Sequence, residues 1–164
     1  MNIALSVRQK GANIFFAIPL WYRYLSAIMF AAVLAAILVS GGTGIPGWII
    51  LAVTAFSFFY EEKWLFNKSS GKCSGRMGLF FLYKGPVFSA KEVKELRLEL
   101  FRKGYLDQSM MVEDHKMPPG SQLRLILDLK NGESYLLDSV PFRKKEALEN
   151  NAKTIAAFMN FELK

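Results

Sequence analysis

The sequence predicts a membrane protein of the α+β class. An N-terminal transmembrane helical hairpin precedes an antiparallel β-sheet or half-barrel that a C-terminal amphipathic helix closes. Three observations predict it. Charge is segregated: residues 1–60 hold no Asp or Glu and only Arg8, Lys10 and Arg23, while residues 61–164 hold the other 18 Lys and Arg and all 14 Asp and Glu. Two uncharged apolar runs stand in tandem within the first part. Beyond residue 61 the apolar residues alternate with a period of two, then change to a helical period near the end. With 52% hydrophobic residues and a net charge of +7, these patterns exclude a fully soluble protein and a disordered chain. Cys73 is the only cysteine, which excludes a disulfide scaffold.

The first run, Leu25–Ser40 (LSAIMFAAVLAAILVS), reaches 20 residues when extended back to Trp21. At a rise of about 1.5 Å per residue it spans roughly 30 Å, the thickness of the hydrocarbon layer. The second, Ile45–Tyr60 (IPGWIILAVTAFSFFY), covers about 24 Å and needs flanking residues to span. Gly41-Gly42-Thr43-Gly44 leaves room only for a tight turn, so the two helices are expected to be antiparallel neighbours. Ser26, Ala27, Ala31 and Ala35 allow close approach, and Pro46 suits a first helical turn. Trp21, Tyr22, Tyr24, Tyr60 and Trp64 are expected at one membrane interface and Trp48 at the other, with Arg23 snorkelling to the headgroups. Arg8, Lys10 and Arg23 precede the pair, Lys63, Lys68 and Lys72 follow it, and the turn is uncharged. That distribution puts both termini in the cytoplasm. A cleaved signal peptide fits poorly, because Trp21-Tyr22-Arg23-Tyr24 and a second apolar span interrupt the pattern it needs. The expected division is therefore an interfacial segment over 1–20, a transmembrane hairpin over 21–60 (helices about 21–40 and 45–60), and a cytoplasmic domain over 61–164.

Within 61–164, Lys63–Phe66 reads as a strand leaving the bilayer, and Lys68–Lys72 as a turn. Met77–Tyr83 (MGLFFLY) reads as a strand broken by Lys84-Gly85-Pro86, with a further strand beginning at Val87-Phe88. In Val93–Phe101, Leu96, Leu98 and Leu100 alternate with Arg97 and Glu99; in Leu123–Leu129 the four leucines lie on one face, with Arg124, Ile126 and Asp128 on the other. Asn131-Gly132 marks a hairpin, with Glu133–Asp138 as the return strand. From Lys144 to Phe161 the apolar residues Leu148, Ala152, Ile155, Ala156 and Met159 line one face of a helix, which is expected to pack on the open side of the sheet. Residues 102–121 read as a long loop. Met110, Met111 and Met117 within it are a candidate partner-binding surface, since exposed methionine adapts to varied contacts.

The pattern Trp64-x-Phe66, Gly71, Gly78, Val93-x-x-Leu96-x-Leu98, Leu125-x-Leu127-x-Leu129-x-Asn131-Gly132 and Ala152-x-x-Ile155-Ala156-x-Phe158 resembles bacterial pleckstrin-homology-like (PH-like) domains behind a two-helix membrane hairpin. The layout is similar to that of photosystem I assembly factors. The resemblance implies a PH-like domain on the cytoplasmic side of a bacterial inner membrane. It also implies a binding or assembly module rather than an enzyme.

Chemistry-bearing motifs are few. Gly42-Thr43-Gly44-Ile45-Pro46-Gly47 fits a G-x-G-x-x-G spacing, but it lies between two apolar spans and lacks the strand that a dinucleotide site requires. Gly75-Arg76-Met77-Gly78 reads as a loop between strands rather than a phosphate cradle. One cysteine and one histidine, His115, cannot furnish a zinc site, and neither a nucleophile–base pair nor a nucleophile elbow is present. Cys73 reads as a surface thiol. No catalytic residue, metal or cofactor is therefore assigned. Lys63, Lys68, Lys72 and Arg76 are candidate contacts for anionic lipid, each contributing about 1 kcal/mol near a charged surface. Arg143-Lys144-Lys145 opens the last helix against its dipole and reads as a solvated charge run. Basic residues interspersed with 14 acidic ones, without a recognition motif, do not suggest nucleic acid. Three readings of function follow: a non-catalytic interaction or assembly module whose partners are the bilayer and another membrane protein or a second copy; an anionic-lipid sensor; and, least supported, a membrane enzyme.

Overall fold

A computed structural model describes residues 4–41, 44–79, 82–101 and 120–164. The chain opens with two short strands, β1 (Ser6–Lys10) and β2 (Asn13–Ala17), joined by a turn in which Gly11 takes φ +57. Two apolar helices follow, α1 (Leu20–Val39) and α2 (Ile45–Phe59). Next come β3 (Tyr60–Asn67), β4 (Lys72–Leu79), β5 (Leu82–Lys84) and β6 (Val87–Ser89). The remaining elements are β7 (Val93–Phe101), β8 (Gln122–Leu129), β9 (Ser134–Pro141) and α3 (Lys145–Met159). The result is a mixed α+β fold with two antiparallel sheets, an N-terminal apolar helix and a C-terminal helix.

The first sheet runs β1-β2-β3-β4-β5, with β6 also on β4. Its centre is the pairing of β2 with β3, where Ile14 faces Phe66 and Phe16 faces Trp64. The helices are thus inserted between two neighbouring strands, and residues 18–59 form one very long connection of a β-hairpin. This corrects the expected interfacial segment over residues 1–20. Ile14 and Phe16 are fully buried in the protein core, and Ile14–Ala17 is a strand whose alternate residues point inward. An apolar run as short as Ile14–Leu20 is ambiguous between a buried strand and a membrane segment, and only the partner strand decides.

β5 and β6 pair with β4 in one continuous register, from Leu79↔Leu82 to Lys72↔Ser89. Gly85-Pro86 interrupts the strand because Pro86 has no N–H to donate, yet its carbonyl still accepts from the Gly75 N–H at 2.9 Å. Two glycines make this packing possible. A Cβ on Gly75 would meet the Trp64 ring at 2.7 Å, and one on Gly85 would overlap the Gly75 carbonyl. Gly75-Arg76-Met77-Gly78 is therefore the interior of β4 and not a loop.

The second sheet is β7-β8-β9. The Asn131-Gly132 signal gives a three-residue turn. The Gly132 N–H donates to the Leu129 carbonyl at 3.1 Å and the Leu129 N–H to the Glu133 carbonyl at 2.8 Å. Only Gly132 is left-handed, at φ +90, as in a type I turn closed by a glycine bulge. α3 buries Leu148, Ala152, Ile155 and Ala156 and packs against β1, β7, β8 and β9. It ends at Asn160, left-handed at φ +59, after which the tail returns along β7: the Leu96 N–H donates to the Glu162 carbonyl at 2.8 Å. Between the sheets and α3 lies a core of Ile14, Phe16, Trp64, Phe66, Leu96, Leu125, Leu127, Leu137, Leu148 and Ile155, all at most 1% exposed. Each such side chain contributes about 1.5–3 kcal/mol by burial.

α1 meets the length and composition required of a membrane span, with an 18-residue window of mean hydropathy 1.9. α2 is apolar and shorter, at 15 residues. The pair packs side by side. Only Ser26 and Ile37 of α1 and Thr54 of α2 are buried. A core helix of a soluble protein would bury its apolar stripe, so this exposed surface supports membrane association.

Candidate functional site

The junction between helices and sheet is the most chemically varied part of the molecule. β2 runs into α1 through Ile18-Pro19, and α2 becomes β3 at Tyr60 with a single change to extended backbone (φ −70, ψ 129). The Ile18 N–H reaches the Glu62 carbonyl at 3.3 Å, so strand pairing continues to the foot of the helices. Arg23, in the first turn of α1, pairs with Glu61 of β3 at 3.3 Å, and the Tyr83 hydroxyl of β5 donates to the same carboxylate at 3.1 Å. Three elements are thereby tied at one level.

On the outer face of the first sheet, a cleft of about 470 Å³ is lined by Arg8, Lys10, Arg23 and Lys63 together with Glu61 and Glu62. Its floor is apolar, from Phe15, Ala17 and Leu20. The Arg8 Nη2 donates to the Ile18 carbonyl at 3.0 Å, and the Lys63 Nζ stands 4.6 Å from the centre of the Phe15 ring. Cations exceed carboxylates in this cleft, which suits it to an anionic group. Sequence reasoning used Arg8 and Lys10 only as topology signals. The β1-β2-β3 order is what carries them to Lys63.

On the inner side, a larger cavity of about 1080 Å³ opens between the foot of the helices, the inner face of β3 and β4, and the length of β9. Tyr22 and Phe56 form its wall on the helix side, and Met77, Leu79 and Leu136 add apolar surface. Its polar character comes from Gln122, Ser134 and Ser139, and from Glu62 and Asp138. Burial raises the Glu62 carboxyl above the usual carboxylate range, the neighbouring negative charge of Asp138 adds to this, and a hydrogen bond with Tyr60 opposes it. Burial also raises Asp138, against the stabilising N–H groups of Leu5 and Ser139. Asp138 has a structural task, since its Oδ2 accepts from the Leu5 N–H at 2.9 Å while Asn151 of α3 donates to the Leu5 carbonyl at 3.1 Å. It fastens the start of the first sheet to the second. Among the described residues, no group of three His, Cys, Asp or Glu converges as metal ligands.

The structure scatters the expected site residues. Trp21, Tyr24, Trp48 and Tyr60 are exposed, while Tyr22 packs on the core. Trp64 is a correction: expected at the interface, it is 1% exposed, its ring packed against Gly75 and its ring centre 6.3 Å from that of Tyr135. It occupies the inward register of β3, which sequence position near a span does not reveal. Of the candidate lipid contacts, Lys63 and Arg76 are register partners. Lys68 and Lys72 lie at the opposite end of β3 and β4 from the helices, and the Lys68 Nζ sits 5.5 Å from the Phe158 ring centre. Cys73 is also a correction, being 1% exposed with its thiol pushed up to about 12 by burial. Met110, Met111, Met117 and His115 lie outside the described residues.

No protein-family model matches the chain, and no curated protein matches it.

Proposed function

We propose that this chain is a non-catalytic interaction or assembly module. A two-helix transmembrane hairpin anchors a PH-like β domain in the membrane plane, with both termini cytoplasmic. The observation that carries this reading is the insertion of the helix pair between β2 and β3. A flexible tether lets a domain tumble. Here both ends of the pair are continued by neighbouring strands of one sheet, so the domain is held in a fixed pose under the bilayer. That suits a module whose partner lies in the same membrane, where confinement also raises its effective concentration. The inner cavity at the foot of the helices supplies an adaptable surface for the partner.

The test is cross-linking of the tagged full-length chain in its native membrane, followed by mass spectrometry of what is recovered with it. A stoichiometric membrane-protein partner supports the reading. Recovery of the chain alone counts against it.

The second reading, a sensor of anionic lipid, is favoured by the cleft that gathers Arg8, Lys10, Arg23 and Lys63. Anionic phospholipid recovered with the purified full-length chain, and lost from Arg8→Glu/Lys63→Glu, supports it. Unchanged lipid in that variant removes it.

A further inference from the structure

β4 and β5 expose apolar side chains where they run beside the foot of α2. Leu82 of β5 is 67% exposed and Met77 of β4 is also exposed. Strand register fixes where they lie. Leu79 pairs with Leu82 on one side and with Tyr60 on the other, and Tyr60 is the residue at which α2 becomes β3. Leu79 and Leu82 therefore stand abreast of the foot of α2, about 5 and 10 Å to its side by the spacing of strands. Phe58, Phe59 and Tyr60 expose apolar surface at the same place.

Charge is arranged to match. Arg76 and Lys84, both exposed, sit a few residues away, one on β4 and one on β5. Lys63 lies across the sheet from Arg76. An exposed apolar side chain with cations a few residues away suits the boundary between acyl chains and phosphates. β5 is also held in place: the Tyr83 hydroxyl donates to Glu61 at 3.1 Å, and Glu61 pairs with Arg23 at the start of α1.

We propose that β5 is a further membrane contact, with Leu82 seated in the headgroup–acyl boundary beside α2 and with Arg76 and Lys84 on lipid phosphates. The inference rests on the anchor reading, and it adds that the β domain itself touches the bilayer away from the helices. With the helix pair as one support and β5 as another, the domain cannot rock about the helix axis.

The test uses the full-length chain in vesicles of mixed zwitterionic and anionic phospholipid. Single-cysteine variants Leu82→Cys, Leu38→Cys in α1 and Ser70→Cys in the β3–β4 turn, at the opposite end of those strands from the helices, each carry an environment-sensitive fluorophore. Cys73 is buried and serves as the folding control, since a folded chain takes one label per introduced cysteine. Nitroxide-bearing lipids then quench by depth. The expected result is several-fold more quenching at Leu82 than at Ser70, strongest with nitroxide near the headgroups, and deeper quenching at Leu38. Leu82 as unquenched as Ser70 while Leu38 is quenched overturns the β5 contact and leaves the anchor standing. Leu38 and Leu82 both unquenched overturns the anchor reading and this inference with it.

Discussion

Leu38 of α1 and Leu125 of β8 are the same side chain in two apolar regions, and they are 73% and 0% exposed respectively. Around Leu125 the two sheets and α3 supply apolar neighbours. Around Leu38 the protein supplies almost none, and the same holds for Ile28, Ile50 and Val53. Apolar composition alone makes the two regions look alike. The difference is one of surroundings: the β domain makes its own apolar phase, whereas the exposed apolar surface of α1, long enough to span, supports association with a membrane.

Cys73 offers the largest test of that contrast. Its thiol is pushed up to about 12, so near neutral pH the folded chain holds about a thousandfold less thiolate than an ordinary cysteine. Alkylation followed by mass spectrometry should be negligible in the native state and rapid in denaturant. Fast labelling of the native chain would place Cys73 outside the core. Leucine truncation comes next. Leu125→Ala should destabilise the β domain by about 2–5 kcal/mol through transfer and cavity terms. Leu38→Ala should change the unfolding free energy of the β domain by less than about 0.5 kcal/mol. Equal losses would mean that one phase surrounds both residues.

A smaller effect, about 1–3 kcal/mol from overpacking, is expected for Gly75→Ala, because the added Cβ meets the Trp64 ring at 2.7 Å. Trp64→Leu in the same chain should recover part of the loss. The smallest effect concerns Glu62. Burial and the charge of Asp138 raise its carboxyl in the folded state, so the native state holds a proton over a pH range in which the unfolded chain has released it. Its contribution to stability is therefore greatest in acid and declines as pH rises through that range. Measured as a difference between the full chain and Glu62→Gln across about pH 4 to about pH 8, the slope should diminish in the variant. An unchanged slope would assign it to other carboxylates.

Much of the second sheet was legible from sequence. Leu96 and Leu98 alternate with charged residues, Leu123, Leu125, Leu127 and Leu129 recur with a period of two, and the strands pair in chain order. α3 was legible for a similar reason, since its four buried residues fall on one helical face. The first sheet was harder to read. Ile14-Phe15-Phe16-Ala17 shows no polar alternation, and its partner Lys63–Asn67 lies beyond both helices. The site suffered most from this. Arg8 and Lys10 acquire their relation to Lys63 only through the β1-β2-β3 pairing, and Glu62 acquires Asp138 only when the two sheets face one another.

The sequence by itself determined the apolar helices, the hairpin at Asn131-Gly132 and the amphipathic closing helix. Each rests on local periodicity, on the conformational freedom of one residue or on unbroken apolar length. The tertiary structure decided which strands join across residues 18–59, that Trp64 and Cys73 face inward, and that cations from three elements line one cleft. Those outcomes depend on pairing between distant segments. A period of two specifies that a strand has two faces; its neighbours decide which face meets the core.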